Sequence, residues 1–334
     1  MSVFSDPRIA ELSKAFLPAA DEVWRLQRGG DAECQFFQRA VNGGKLITDN
    51  GTRQGIYVMA PSGEVLARVN SLKADRVLQM MQEGLAAWEA LPEERRHLAS
   101  DTRLEGEERW EDSRPTEGLL LSRIVRDLPV EGTVDGTRAT RWNRDTLWFS
   151  KEEVEQLVKD ARDRPADWVP LPRAFARRLA CFTFVDNVYG QCIPFDMEDV
   201  TQMQLEVRWE SEDDDNLHLR FRGRTAAAED GEWRLGENLW KPKNMHAHAL
   251  ETTMLGSGTF DLHSRSFVAF EMLALGRRSG FTELNSRRFR PEPGGIGFLI
   301  QLDRRAWSAA PTFIALYEAD WVKPPTKGRE LTKD

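Results

Sequence analysis

Gly55-Ile56-Tyr57-Val58-Met59-Ala60-Pro61-Ser62-Gly63-Glu64-Val65-Leu66-Ala67-Arg68-Val69-Asn70 decides the fold of the first part of the chain. The run Gly55 to Met59 is short and almost continuously apolar, as a strand covered on both faces would be. Pro61 presets φ and Gly63 is free to take φ > 0, so Ala60 to Glu64 is a turn. Val65 to Asn70 resumes as a second strand, and the two are expected to pair as an antiparallel hairpin. Downstream, Ala74 to Trp88 places Val77, Leu78, Met81, Leu85 and Trp88 at helical spacing, with Arg76, Gln79, Gln82 and Glu83 on the opposite side. Strand, hairpin partner and closing amphipathic helix form one unit.

Upstream of it, Asp6 and Pro7 start a helix through Phe16 with Ile9, Leu12 and Phe16 as its buried stripe. Leu17 to Trp24 is expected to be a strand, demoted to an edge by Pro18. Asp31 caps a helix from Ala32 to Val41, closed by Asn42-Gly43-Gly44.

Residues 4–90 resemble the later part of a thioredoxin-like domain, in the phrase Phe4-Ser5-Asp6-Pro7-Arg8-Ile9-Ala10-Glu11-Leu12 with Phe16-Leu17-Pro18 and in the hairpin and helix above. The resemblance implies a segment that begins after the helix bearing the redox cysteines. The chain has no CxxC, and Arg53 follows Thr52 where thioredoxins place a cis-proline. A cis bond at Arg53 would cost about 3 kcal/mol against about 0.5–1 for proline. Both signatures of thiol–disulfide chemistry are missing, so a redox role inherited from the fold is not expected. Taken whole, the chain resembles uncharacterised bacterial thioredoxin-like proteins of the planctomycete type that lack CxxC. That resemblance implies no catalytic residue.

Composition sets further bounds. The chain has 334 residues, enough for two domains, with 30% charged and 40% hydrophobic residues. A formal net charge of −8 argues against general nucleic-acid binding, which needs a basic face to displace counterions. No apolar run reaches the ~20 residues of a membrane helix, so no membrane insertion is expected. The first residues lack the pattern of a signal peptide, which points to a cytoplasmic protein, or to an exported one whose signal has been removed. Of the three cysteines, Cys181 and Cys192 fit either a bridge across a hairpin or, more plainly, two reduced thiols.

From Pro92 to about 117 the chain is dense in charge and reads as a linker between a domain at 1–91 and another at 118–322, with a disordered tail at 323–334. The second domain carries mostly strand signals. Ser150 and Glu153 make a capping box for a helix Lys151 to Ala161, and Pro172 to Leu179 is a second short helix. Phe182 to Val185 is expected to be a strand. Val200–Glu210, Leu217–Arg222 and Phe267–Leu275 alternate apolar and polar residues, and Gly258–Leu262, Ile296–Leu302 and Thr312–Tyr317 are expected as further strands. The expected class is α+β: a degenerate thioredoxin-like domain, then a mainly antiparallel β domain, sandwich or open barrel, with two short helices.

Several constellations are candidates for chemistry. Cys34 sits early in a helix, whose dipole can lower a thiol pKa, although Glu33 opposes it; the plainer reading is a core cysteine. His246 and His248 share one side of a strand and could hold a metal with a third ligand from His218, His263 or Glu251; the plainer reading is a pair of exposed polar side chains. Arg277, Arg278, Arg287, Arg288 and Arg290 bracket Phe281, Asn285 and Phe289 as a local anion-binding patch or a solvated loop. Trp233 and Trp240 fall in a long irregular segment, Ala226 to Leu255, which is expected to fold over one end of the sheet and line a pocket. The leading expectation is a non-catalytic protein that binds a protein or a small molecule, with no cofactor implied. The alternatives are a thiol-dependent oxidoreductase using Cys34, or a metal-binding protein through His246 and His248.

Overall fold

Asp6 begins the first helix as its chemistry requires. In the computed structural model its carboxylate accepts a hydrogen bond from the Arg8 amide at 2.9 Å, and Pro7 opens α1 (Pro7–Leu12). The structure describes residues 3–21, 23–49, 51–98, 117–128, 142–190, 192, 194–231, 246–289 and 291–304. The chain divides into two compact units, Met1–Asp112 and Ser113–Asp334.

In the first unit the expected strand at Leu17 to Trp24 does not form. Leu17 is 97% exposed, Leu17 to Asp21 has no regular structure, and a short helix α2 (Val23–Leu26) follows. Pro18 has no N–H for a ladder, and nothing covers Leu17 to reward an extended backbone. Asp31 caps α3 (Ala32–Val41), accepting from the amides of Glu33 and Cys34 at 3.1 and 3.0 Å. The hairpin is β1 (Ile56–Met59) against β2 (Val65–Val69), with Ile56 opposite Val69 and Val58 opposite Ala67. Helix α4 (Ala74–Ala90) lies on it through Val77, Met80, Met81 and Gly84. Leu85 and Trp88 are only half-buried, so the helix is rotated from the expected stripe toward its glycine. A Cβ on Gly84 would lie 2.7 Å from the Cβ of Val58, which is why the helix can approach the strand this closely.

Among the described residues the second unit holds one eight-stranded antiparallel sheet. Its strands are β3 (Gly118–Leu128), β4 (Trp142–Ser150), β5 (Val169–Pro170), β6 (Val200–Glu212), β7 (Asn216–Asp230), β8 (Ala247–Asp261), β9 (Ser266–Gly280) and β10 (Gly294–Leu302). The order across the sheet is β4-β3-β10-β9-β8-β7-β6-β5. Strands β5 to β10 are sequential neighbours, and β10 joins them to the β3–β4 hairpin.

Among the described residues no second sheet faces the first as in a sandwich, and the expected strand Thr312–Tyr317 lies outside them. Helix α5 (Lys151–Asp163), α6 (Arg173–Arg177) and a π-helical stretch Arg178–Thr183 supply the second layer. Phe182 and Thr183, expected in a strand, belong to that π-helical stretch and are buried. Their apolar run reads like a strand because a fully buried helical turn is equally continuous in hydrophobicity.

The capping box is present. Ser150 Oγ accepts from the Glu153 amide at 3.3 Å, and the Glu153 carboxylate accepts from the Ser150 amide at 2.8 Å. The same carboxylate takes two hydrogen bonds from buried Arg178, whose guanidinium also donates to the Trp148 carbonyl at 2.8 Å. Beneath it Phe149 and Phe175 stack at 3.7 Å, so the start of α5, the end of β4 and the π-helical stretch are locked together. Among the described residues no helix is long and apolar enough to cross a membrane.

Candidate functional site

Period-two alternation assigns one face of β7, β8 and β9 to the interior. The inward positions run Leu217, Leu219, Phe221, Thr225, Ala227 and Glu229 on β7, and His248, Leu250, Thr252, Met254 and Phe260 on β8. The registers then set side chains in rows across the sheet. Phe221, Gly256, Met272 and Ile300 form one row, and Thr225, Thr252, Gly276, Ile296 and Asp127 another. In the last row Glu229 faces His248, which faces Gly280. Polarity therefore rises along the interior face, from phenylalanines at one end to ionisable groups at the other.

At the apolar end Phe260, Phe267 and Phe270 contact edge to face, at 5.4 and 5.5 Å. Midway, the hydroxyls of Thr225 and Thr252 satisfy each other at 2.7 Å. At the polar end three segments converge. Arg287, from the loop between β9 and β10, donates to both oxygens of Asp186 at 2.7 and 2.8 Å and to both oxygens of Asp127 at 2.6 and 2.8 Å. Tyr189 donates to Asp127 at 3.1 Å, and the guanidinium lies 4.3 Å from the centre of its ring. Arg278, inward on β9, stands 3.8 Å from Asp186 and donates to the Glu292 carbonyl at 3.1 Å. Among the described residues, two arginines thus stand against two aspartates. Burial works to raise the Asp127 pKa, but the Arg287 hydrogen bonds and charge outweigh it and hold that carboxyl below the usual range. Burial, with the Arg287 charge beside it, lowers the pKa of Arg278.

His248 completes this end. It is 6% exposed, its ring stacks on Phe195 at 4.7 Å, and among the described residues neither ring nitrogen has a hydrogen-bond partner. Burial pushes its pKa down to about 4, with only the nearby Asp199 acting the other way, so the imidazole is neutral at pH 7. A buried imidazole with a free donor and a free acceptor is an exception to the rule that buried polar groups are paired. Gly280, opposite it, has φ of 71°, and a Cβ there would lie 2.0 Å from the Ala247 carbonyl, so this row carries no side chain from β9.

The other expected site residues are distributed as follows. His246 lies just before β8, its ring 4.1 Å from that of Phe281 and its Nε2 3.8 Å from Glu283. The proposed third metal ligands are not beside His248. Glu251 is on the outer face of β8, since odd and even positions point apart, and His218 pairs outward with Asp213 at 3.4 Å. His263 lies in the turn between β8 and β9, at the opposite end of those strands. Among the described residues no three His, Cys, Asp or Glu side chains are grouped to hold a metal.

Cys34 is fully buried. Its thiol donates to the Asp31 carboxylate at 3.1 Å and lies 3.4 Å from the Arg25 carbonyl. Burial and that carboxylate push its pKa up to about 12, the reverse of what a nucleophile needs. Cys181 and Cys192 are buried and form no disulfide bridge.

The arginine patch separates into parts. Arg278 and Arg287 are interior, and Arg288 packs at 4.5 Å over Phe289 on the surface. Asn285 is buried, its side chain accepting from the amides of Thr282 and Arg287 at 3.1 and 3.2 Å. Arg290, Trp233 and Trp240 lie outside the described residues. Both ends of the segment Ala226 to Leu255 are strand rather than loop, since β7 extends to Asp230 and β8 begins at Ala247, and residues 232–245 lie outside the described residues. Glu229, Asp127, Asp186 and Phe195 were missed from sequence. Carrying the alternation of β7 through Ala227 to Glu229 would have placed that carboxylate inside. Compared with known proteins, the chain matches no family model, no curated protein and no solved structure.

Proposed function

We propose that this chain is a non-catalytic binding protein whose larger unit takes a small polar ligand at the His248 end of the sheet. The observation that carries the reading is His248 itself, 6% exposed and unpaired at both ring nitrogens. An unpaired buried polar group costs about 1–3 kcal/mol, so its retention is best explained by a partner it meets on binding. Phe195 offers an aromatic face on one side, and the neutral imidazole can donate from one nitrogen and accept at the other. Carboxamides and similar groups match that pair of contacts.

The first unit is read as a redox-inactive, thioredoxin-like scaffold. Its hairpin closed by α4 supports that reading, as do the missing CxxC and the thiol of Cys34, buried and raised in pKa. The test is a titration of the full chain with acetamide and benzamide, following the ring ¹⁵N signals of His248. Saturable shifts of those signals, and loss of binding in His248→Phe, which keeps the stacking on Phe195, are expected. Ring signals that do not respond to either probe would overturn the ligand site. Insulin reduction that Cys34→Ser abolishes would overturn the non-catalytic reading.

A further inference from the structure

The outer face of the sheet in the second unit carries an aliphatic patch. Leu255 of β8 faces Leu273 of β9, which faces Leu299 of β10, which faces Ile124 of β3. Leu255 is 68% exposed, Leu273 51%, and Leu275, the next outward position on β9, 53%. Surface leucines scattered singly need no explanation, but a contiguous patch across four strands marks an interaction surface.

The middle of the patch is self-complementary. Four successive outward positions of β9 are Glu271, Leu273, Leu275 and Arg277. Glu271 takes a hydrogen bond from the neutral Gln301 amide at 2.9 Å, while Arg304, which lines the same depression, donates to the Val268 carbonyl. Glu251 stands opposite Arg277 in register, yet among the described residues Arg277 makes no ion pair. The order along β9 is therefore acid, leucine, leucine, base, with neither charge neutralised by an ion pair. A second β9 lying over it in the opposite direction sets Leu273 against Leu275 and Glu271 against Arg277, each twice. On β8 the same rotation brings Leu255 onto the smaller Thr253. On β7 it brings Arg222 toward Arg224, where Glu206, 2.8 Å from Arg222, offsets one of the two charges.

We propose that two copies of this chain associate through this face, about a two-fold axis that crosses β9 between Leu273 and Leu275. A closed dimer requires a patch that complements itself under that rotation. Four outward positions on each of five strands, at ~6.8 Å along and ~4.8 Å across, make about 650 Å² per copy and about 1,300 Å² in all, the lower end for specific interfaces. Edge-to-edge pairing at β4 is a poorer route. The amides of Arg144 and Thr146 are taken by the side chains of Asn143 and Asp145, both at 2.8 Å, and the Trp148 carbonyl by Arg178.

Sedimentation velocity of the full chain over a concentration series tests this. A monomer–dimer equilibrium in the micromolar range is expected for an interface of this size. Glu271→Arg and Arg277→Glu each bring like charges together twice per dimer, and each should weaken it at least about tenfold. Mixed in equal amounts, the two variants should dimerise with one another, because each supplies the charge that the other has lost. Circular dichroism and the urea midpoint check that these outward changes leave the fold intact. A wild type still monomeric at ~1 mM would overturn the proposal and leave the patch to a different occupant. A dimer unmoved by Leu273→Asp would overturn it by placing the interface elsewhere. Charge variants that fail to associate when mixed would overturn the two-fold arrangement.

Discussion

Arg287 and Asp186 meet through two parallel hydrogen bonds of 2.7 and 2.8 Å, although 101 residues separate them. The same guanidinium holds Asp127 on β3, so one side chain ties the loop after β9 to two other segments. The pair with Asp186 is almost out of water, its side chains 2% and 9% exposed, whereas the Asp127 side chain is 21% exposed.

Arg287→Met should therefore be severely destabilising. Removing the guanidinium strands the buried carboxylate of Asp186 and deprives half-buried Asp127 of its partner, and breaking a buried pair costs about 3–5 kcal/mol. The urea midpoint should fall accordingly, and Asp127→Asn/Asp186→Asn added to Arg287→Met should recover part of the loss. A single variant losing under about 1 kcal/mol would mean that water reaches the cluster freely.

His248 makes stability depend on pH in a defined direction. Its folded pKa of about 4 lies below the ~6.5 of an unfolded histidine, so the unfolded chain binds the proton first. The contribution is complete above pH 6.5 and is lost as pH falls toward 4. Between pH 7 and 5 this amounts to about 2 kcal/mol at 1.36 kcal/mol per pKa unit. The wild type should lose that much more than His248→Phe over the same interval, by urea unfolding at each pH. Parallel curves for the two proteins would rule out a depressed histidine.

Cys34 should resist alkylation. With a pKa of about 12 the thiolate fraction at pH 8 is about 10⁻⁴, against about a quarter for an unperturbed thiol at ~8.5. Iodoacetamide should label Cys34 in the folded chain more than a hundredfold slower than in urea, with mass spectrometry locating the site. Labelling at the rate of a free thiol would reopen the oxidoreductase reading.

The capping box offers an internal comparison. Ser150→Ala removes one neutral cap and should cost about 1 kcal/mol. Glu153→Ala removes the reciprocal cap and also the carboxylate beneath Arg178, leaving a buried guanidinium without its counter-charge, and should cost about 3 kcal/mol or more. Equal losses would show that Glu153 acts only as a cap.

Local signals were legible in the sequence wherever one residue type has one physical use. Asp6-Pro7, Asp31 and Ser150 with Glu153 all cap the helices expected of them, and the alternation in Val200–Glu210 and Leu217–Arg222 marks true strands. Strand ends were less legible, because Ala226-Ala227-Ala228 and Ala247 carry little hydrophobic contrast to alternate. The pairing order was not legible at all. Nothing in Gly294 to Leu302 says that it lies beside β3, whose sequence precedes it by 167 residues at its closest pair, Gly295 with Leu128. The site was hidden for the same reason: Asp127, Asp186 and Arg287 each look like surface charge until topology brings them together. His248 was picked out as a possible ligand, and its burial came from the parity of β8, which also placed Glu251 on the other face.

The position of β10 has a consequence for synthesis. Among the described strands this one emerges last from the ribosome, yet it sits between β9 and β3, with neighbours on both sides. At ~5–20 residues per second, the β3–β4 hairpin waits about ten seconds or more for the strand that joins it to the rest. Until then β3 and β9 each present an unsatisfied edge, open to mispairing with another nascent chain. Late delivery of β10 thus leaves two strand edges of this sheet open during synthesis.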